Sequence, residues 1–532
     1  MAAIITSNFR TVNASHFKEQ IEGSSVYVAI GKSDVWSLTT SDTTDTTPFV
    51  PGDNLDQLGE ARANLIGMKK IVPADIAHVV PRHTWTSGRS YFAWDSDDAS
   101  IFDKAFYVVT SEFKVYKCII AGGGASSIQP TQTLTSPTAE SDGYTWKYMY
   151  TISVADAEKF LTNSYMPVKT VSLAATAIVA VASTTATIIL TETVPGIHVG
   201  MTVSGTNVGS SKTVSAINGS VLTLSGAPSG SVSGILTFAY ANDAAAENVL
   251  SEADYAQYLN QKASRDSATA AGIERIEVTA GGTGYTNNTN VAVTITGDGT
   301  GATVTTTSGV TVAGNAVTGI TIANKGTNYR VADIVISGGA GSDATARAVI
   351  SPKAGHGVDP VSELGGFFVA LNTKLDGNDG GDITVGNDFR QITLFNEPRA
   401  YNATPLAGNI ATADTLKATS YLDFNSSATV ANYTVDELIV GAGGAQAYVV
   451  EKDTSNGFLR YHQNSKTGYK AFVNGEVVTG QSSSQADTLE TSNAVGNPEV
   501  DRASGEILFL ENRNPISRTT TQIEDIKVII EF

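Results

Sequence analysis

Apolar residues recur mostly at every second position, the spacing of strands that bury one face. In SSVYVAIGKSDVW, Val26, Val28 and Ile30 share one face of a strand broken at Gly31, before Trp36. In LDQLGEARANLIGMKKI the period changes, and Leu55, Leu58, Leu65 and Met68 form one helical stripe. VVPRHTW is extended, because a residue preceding proline is steered away from the helical region. KAFYVVTSEFKVYKCII gives two more strands. DGYTWKYMYTI alternates Tyr144, Trp146 and Tyr148 against smaller neighbours, and VADAEKFL is a short helix.

The last twenty-eight residues carry two more alternations, Ile507/Phe509 against Leu508/Leu510 and then Ile526/Val528/Ile530/Phe532. These predict two strands around a polar connection, with Pro515 keeping that connection off a central strand. The final strand is expected to join a sheet built by earlier segments, since an unheld chain end frays.

Between these regions the sequence is turn-rich. Thr176–Phe238 holds short Val/Ile/Thr strands, with Asn218-Gly219 as a hairpin turn, and reads as a small β-sandwich or barrel. Thr170–Thr191 is uncharged, but the Ser183-Thr184-Thr185 break and the β-branched content predict two strands there and not a membrane span. A helix follows in SEADYAQYLNQKASRDSA, with Ser251 as N-cap and Asp254 at the capping-box position. Next comes an internal duplication at 44-residue spacing, in which Ile276, Gly282 and Tyr285 match Ile320, Gly326 and Tyr329. Two copies suit a compact β-module better than a solenoid. A third β-module lies within 401–502, where Asn474-Gly475 is a further hairpin signal.

These readings predict a mainly β chain, a two-layer β core with a few short helices, interrupted by inserted sandwich- or barrel-like modules. The expected division is an N-terminal core segment of residues 1–175, a module 176–245, a helix with the duplicated module 246–355, a return to the core 356–400, a module 401–502 and core strands 503–532. A chain of 532 residues exceeds one core and should hold roughly three to five domains.

Charge and cysteine content narrow the function. The formal charge of −18 argues against phosphate-neutralising roles, so neither nucleic acid nor an anionic membrane is expected as partner. The single cysteine, Cys118, rules out an intramolecular disulfide and a multi-cysteine zinc site, which fits a reducing cytoplasm. The start shows no cationic segment followed by an apolar run, so no signal peptide is expected.

Candidate chemistry is sparse. His16, His78, His83, His198, His356 and His462 are scattered and fit no metal-binding spacing. His356 lies in a Gly-His-Gly string that reads as a turn before it reads as a catalytic loop. GGTGY lacks the strand-then-helix setting of a dinucleotide loop. In LDGNDGGD, Asp376, Asp379 and Asp382 could hold an ion but match neither calcium-loop pattern, so a solvated turn is expected. Acidic pairs suited to glycoside cleavage are numerous, and sequence gives no separation between them. No catalytic, cofactor or metal residue is assigned.

Six strings then occur in one order: ITSNFRT, VYVAIGKSDVW, VPRHTW, DGYTWKYMYTI, FRQITLFNEP and GEILFLENRNPI. This series resembles the homodimer-forming baseplate wedge proteins of T-even-type contractile-tailed bacteriophages. The resemblance covers about the first 170 residues, a stretch around Asn372–Pro398 and the last thirty. It implies a non-enzymatic structural protein of the virion tail baseplate, made and assembled in the host cytoplasm, which pairs with a second copy and binds other wedge proteins. Its inserted modules are expected to reach further contacts, such as tail fibres or the host surface. The residues it points to are Phe9, Arg10, Trp36, Arg82, Trp85, Tyr144, Trp146, Phe389, Arg390, Glu511, Asn512 and Arg513. Arg10, Arg82, Arg390 and Arg513 are expected to divide between internal bridges and subunit contacts, and Tyr144/Trp146/Tyr148 to serve packing or a subunit contact more than a carbohydrate platform. The rival reading is a host-surface adhesin whose β-modules bind glycans; a polysaccharide-degrading tailspike would need a longer repeat array.

Overall fold

Antiparallel strands account for most of the architecture, and the chain is mainly β. The computed structural model describes residues 4–37, 39–41, 45, 47–194, 196–268, 270–286, 290–305, 309–377 and 383–532. Asp379 and Asp382 lie outside them. Two units divide the chain: residues 1–19, 77–369 and 530–532 form one, and residues 20–76 and 370–529 the other. The extreme segments of the sequence therefore share the first unit.

In the second unit a five-stranded sheet has the order Thr415–Lys417, Leu65–Lys70, Val26–Gly31, Asp388–Asn396, Glu506–Ser517. Val26–Gly31 is central, and all six of its residues are buried. The expectation of one buried face is corrected by this position, since Tyr27 and Ala29 pack with Leu65, Met68 and Phe395 on the other side. The helix predicted through Met68 ends sooner. It spans Leu55–Ala63, capped by the Asn54 side chain on the Gln57 amide, and Leu65–Lys70 becomes a strand pairing with Val26–Gly31. The apolar run has better partners in a sheet than on an exposed helix, and Leu55 is 92% exposed.

The C-terminal strands are longer than the alternation predicted. Glu506–Ser517 runs through Pro515 with a register irregularity opposite Phe389/Gln391. Proline is accommodated because this strand is an edge. In Ile523–Glu531, Ile526 and Val528 are buried on one face, as the period of two requires.

The same unit contains a seven-stranded sheet built from residues 420–496. A bridge between Phe424 and Leu489 joins its two sides into a small barrel around Leu422, Ile439, Val449, Leu459 and Val478. Asn474-Gly475 forms a tight turn, with the Glu476 amide on the Val473 carbonyl. It does not join two strands, because residues 470–473 are irregular.

In the first unit, six strands between Ala174 and Ala239 pair in a ring closed by the Thr202–Thr213 bridge. Ile188, Leu222, Leu236 and Phe238 fill its interior without exposure. Each such side chain contributes ~1.5 to 3 kcal/mol relative to exposure. The predicted hairpin here has Gly219-Ser220 as its loop, one residue later than expected, because Asn218 already pairs with Val221. No helix among the described residues is long and apolar enough to cross a membrane. Ser251 caps the helix Glu252–Ser267 by accepting from the Asp254 amide at 3.1 Å.

The 44-residue duplication folds as one body in which each copy completes the other. Ile276 faces Ile320 directly across a strand pair. The first copy's Ile273–Thr283 pairs with the second copy's Ser342–Ile350, and the second copy's Ile322–Thr327 pairs with the first copy's Thr300–Val304. Gly282 and Gly326 have φ of +66° and +64°, and a Cβ at either would strike neighbouring backbone and Tyr285 or Tyr329. Gly282→Ala and Gly326→Ala are thus expected to destabilise by similar amounts, about 1 to 3 kcal/mol each. Chemical denaturation giving unequal losses would argue against equivalent roles.

Candidate functional site

In the first unit the strands Lys114–Ile120 and Thr145–Thr151 place Lys117 directly opposite Lys147. Like charges facing each other across strands repel, and burial raises the cost. Glu363, on the short helix Pro360–Leu364, accepts from Lys117 Nζ at 2.8 Å. It also accepts from the Gly357 amide at 2.7 Å and the Asp359 amide at 3.2 Å. Burial alone would raise the Glu363 carboxyl, but Lys117 and His356 outweigh it and bring its pKa to about 2.

Lys117 also lies over the Trp94 ring at 3.9 Å. Lys147 donates to Ser264 Oγ on the helix Glu252–Ser267 at 3.0 Å. Burial lowers its pKa to about 8, against the opposing pull of Glu363. His356 closes the cluster. Its ring nitrogens lie 3.7 Å from carboxylate oxygens of Glu274 and Glu363, and burial lowers its pKa to about 4, leaving a neutral imidazole.

The Gly-His-Gly string is a turn, as expected. Gly355 and Gly357 have φ of +99° and +90°, and a Cβ on Gly357 would press on Lys147 Cε. A cavity of about 290 Å³ opens beside the cluster, with Lys147, Ser264, Glu274, Lys325, Ser351 and His356 among its lining.

The second unit has its own buried polar network. Asp34 is held by Lys32 at 2.9 Å, Lys466 at 2.7 Å and the Asn464 amide at 3.0 Å. Burial pushes its carboxyl up, but Lys32, His462 and Lys466 prevail, and the pKa falls to about 2. Asn464 also donates to Asn64, Asn64 to Gln391, and Gln391 to Asn512, so one hydrogen-bond chain crosses the unit.

Nearby, Asp436 accepts from the Asp388 amide at 3.0 Å. Burial first, and then the Asp388 charge, lift its pKa to about 7 despite that hydrogen bond. A carboxyl raised from about 3.9 when unfolded contributes stability that is full below pH ~4 and is lost as the pH rises toward 7. Asp436→Asn is therefore expected to flatten the stability profile in that window and to stabilise above pH 7, on the order of 2 to 4 kcal/mol. Unfolding midpoints measured between pH 4 and 8 check this.

The motif residues fall six in each unit. In the first, Phe9 is 55% exposed on the helix Ser7–Gly23. Arg10 binds the Phe532 carbonyl at 2.5 Å and Glu531 at 2.6 Å, and its guanidinium lies 4.1 Å from the Phe367 ring. Arg82 donates to the Thr162 carbonyl at 2.9 Å and Trp85 to Ser126 at 3.2 Å. Tyr144 and Trp146 are buried and stacked, with centroids 5.6 Å apart.

In the second unit, Trp36 donates to the Arg513 carbonyl at 2.9 Å, and Phe389 is fully buried. Arg390 bonds Asp45 at 2.9 Å, Asp388 at 3.0 Å and the Ser33 carbonyl. Asn512 donates to the Phe49 carbonyl at 2.9 Å, and Glu511 pairs with Ile392 in the sheet.

Sequence reasoning missed Lys117, Lys147, Glu363, Asp34 and Lys466. A signal existed for the first two, since VYKCII and TWKYMY each set a lysine between bulky apolar residues. Among the described residues no cluster of three His, Cys, Asp or Glu side chains could hold a metal ion.

Residues 3–121 match the protein family described as Bacteriophage T4, Gp8. That stretch contains Phe9, Arg10, Trp36, Arg82 and Trp85. Among curated proteins, the chain is similar to "Baseplate wedge protein gp8" of Enterobacteria phage T4, at 23% identity over 202 residues, 31% of this chain and 60% of that protein. The chain thus spans about 60% of the length of the relative it matches. Both similarities agree with the ordered strings on the baseplate wedge proteins of T4-like phages.

Proposed function

We propose that this chain is a structural component of a phage tail baseplate wedge, pairing with a second copy and binding other wedge proteins in the virion, after synthesis and assembly in the host cytoplasm. The observation that carries this reading is the family match over residues 3–121, which holds five of the twelve motif residues. The internal geometry supports a load-bearing role, because Arg10, Arg82 and Arg390 are all engaged within their own units. Interfaces of assembled proteins need apolar anchors with a polar rim. Ile5, Phe9 and Val12, exposed together at the N-terminal helix, offer such an anchor.

The barrel of residues 174–239 adds another, since Ile235 pairs with Ile178, and Ile189 with Val181, all four on its outer face. The inserted modules would then decorate the outside as further contacts. Deleting Val179–Ala239 should leave a soluble, self-pairing protein; loss of either property counts against a dispensable outer module.

The mass in solution tests the central claim. Twice the 55.4 kDa of one chain is expected alone, and a larger complex after mixing with the other wedge proteins of the same virus. Phe9→Glu should weaken association by tenfold or more while leaving thermal unfolding within a degree or two, as expected of a change at an exposed anchor. A monomer that joins no wedge protein would refute the proposal.

A further inference from the structure

We propose that the cavity beside Lys147 is a binding site for a small oxyanion, a phosphate or carboxylate group carried by a solute. The pairing of charges around it leads there. Lys117 is neutralised by Glu363 at 2.8 Å, and Lys325, at the cavity wall, by Glu274 through two contacts of 2.8 Å. Asp359 caps the helix that carries Glu363, accepting from the Ser362 amide. Lys147 is different. It is 1% exposed and its hydrogen bond goes to a neutral hydroxyl; among the described residues no carboxylate makes a direct ion pair with it, and Glu363, already held by Lys117, acts on it only from a distance.

An ammonium has three donors, and a buried charge without a counter-ion costs several kcal/mol. An anion entering the cavity would meet that charge in a low-dielectric setting, where charge-assisted hydrogen bonds are strongest.

The surroundings complete the site. Ser264 is buried and holds Lys147 in place, while Thr135 and Ser136 line the same cavity. His356 lines the same cavity, with its two ring nitrogens 3.7 Å from Glu274 and Glu363. The volume of about 290 Å³ exceeds the share of several waters, so a ligand the size of a phosphate ester or a di- or tricarboxylate fits. Glu274 also lines the cavity, and its pairing with Lys325 limits its repulsion of an anion.

The test uses the full chain and two probes, inorganic phosphate and citrate, each compared with chloride at equal ionic strength. Phosphate or citrate is expected to raise the unfolding temperature by several degrees at millimolar concentration, and calorimetry to give one site per chain. Lys147→Met should abolish that response while remaining at least as stable as the parent without anion, since it removes a buried charge that has no direct counter-ion. Ser264→Ala keeps the charge and should weaken binding about tenfold, which preserves the test if Lys147→Met fails to fold. A response to one probe alone identifies the preferred group. No response beyond chloride, or an equal response in Lys147→Met, overturns the proposal.

Discussion

Lys117→Ala is expected to destabilise the unit that contains it by about 3 to 5 kcal/mol, because Glu363 would remain buried as a carboxylate without its cation. The same truncation leaves Lys147 with less competition for Glu363, so some of the loss is recoverable through rearrangement. Replacing both partners, Lys117→Met with Glu363→Leu, should cost less than either single change, since a well-packed apolar pair has no unpaired charge to bury. Acid supplies an independent check. Glu363 titrates near pH 2 when folded and near 4.3 when unfolded, so its contribution is present above about pH 4 and disappears as the pH falls toward 2. The gap between parent and Lys117→Ala should therefore narrow across that window. Urea unfolding at pH 7 and pH 3, followed by tryptophan fluorescence with Trp94 beside the lysine, measures both effects. Equal midpoints at pH 7 would show that the pair carries no stability.

The sequence made the strands legible where only one face is buried and the partner lies close by. The barrel of residues 174–239 was visible because its period of two alternates inside and outside through Ala175, Ala177 and Val179. The duplication was visible because Gly282 and Gly326 are each required by a left-handed backbone against a buried tyrosine. Central strands were harder to read. Val26–Gly31 is covered on both faces, so alternation carried no information about which residues were core. The helix stripe ending in Leu65 and Met68 failed because a register with Val26–Gly31, almost forty residues earlier, overrode local periodicity.

The buried charges show the same limitation. Lys117 and Lys147 are opposite each other only through strand register, and Glu363 reaches Lys117 from 246 residues away. By contrast, the motif arginines could be named from sequence because each lies in a recognisable string, with Arg10, Arg82 and Arg390 directly after an aromatic or proline. Their partners could not be: Arg10 binds the chain's last two residues and Arg390 binds residues of an early loop.

Asp34→Ala should have an effect as large in the second unit, about 3 to 5 kcal/mol, by a different route. Among the described residues Asp34 is the one carboxylate paired with both buried ammoniums, so its removal strands Lys32 and Lys466 together and also leaves the Asn464 amide without that acceptor. Lys32→Met should be milder, because Lys466 still neutralises the aspartate. Asp34→Asn should fall between them, keeping an acceptor oxygen but no charge. The carboxyl titrates near pH 2, below its unfolded value of about 3.9, so its stabilisation is present above pH 4 and is lost only on strong acidification. The network joins residues 32–34, at the end of the central strand, to residues 462–466 of the barrel in the same unit. Weakening it should release that barrel first. Hydrogen exchange is expected to rise in Gln446–Asp453 and Phe458–His462 of the Asp34→Ala protein while the barrel of residues 174–239 stays protected. Uniform loss of protection in both barrels would mean that Asp34 supports the whole fold and not this one attachment.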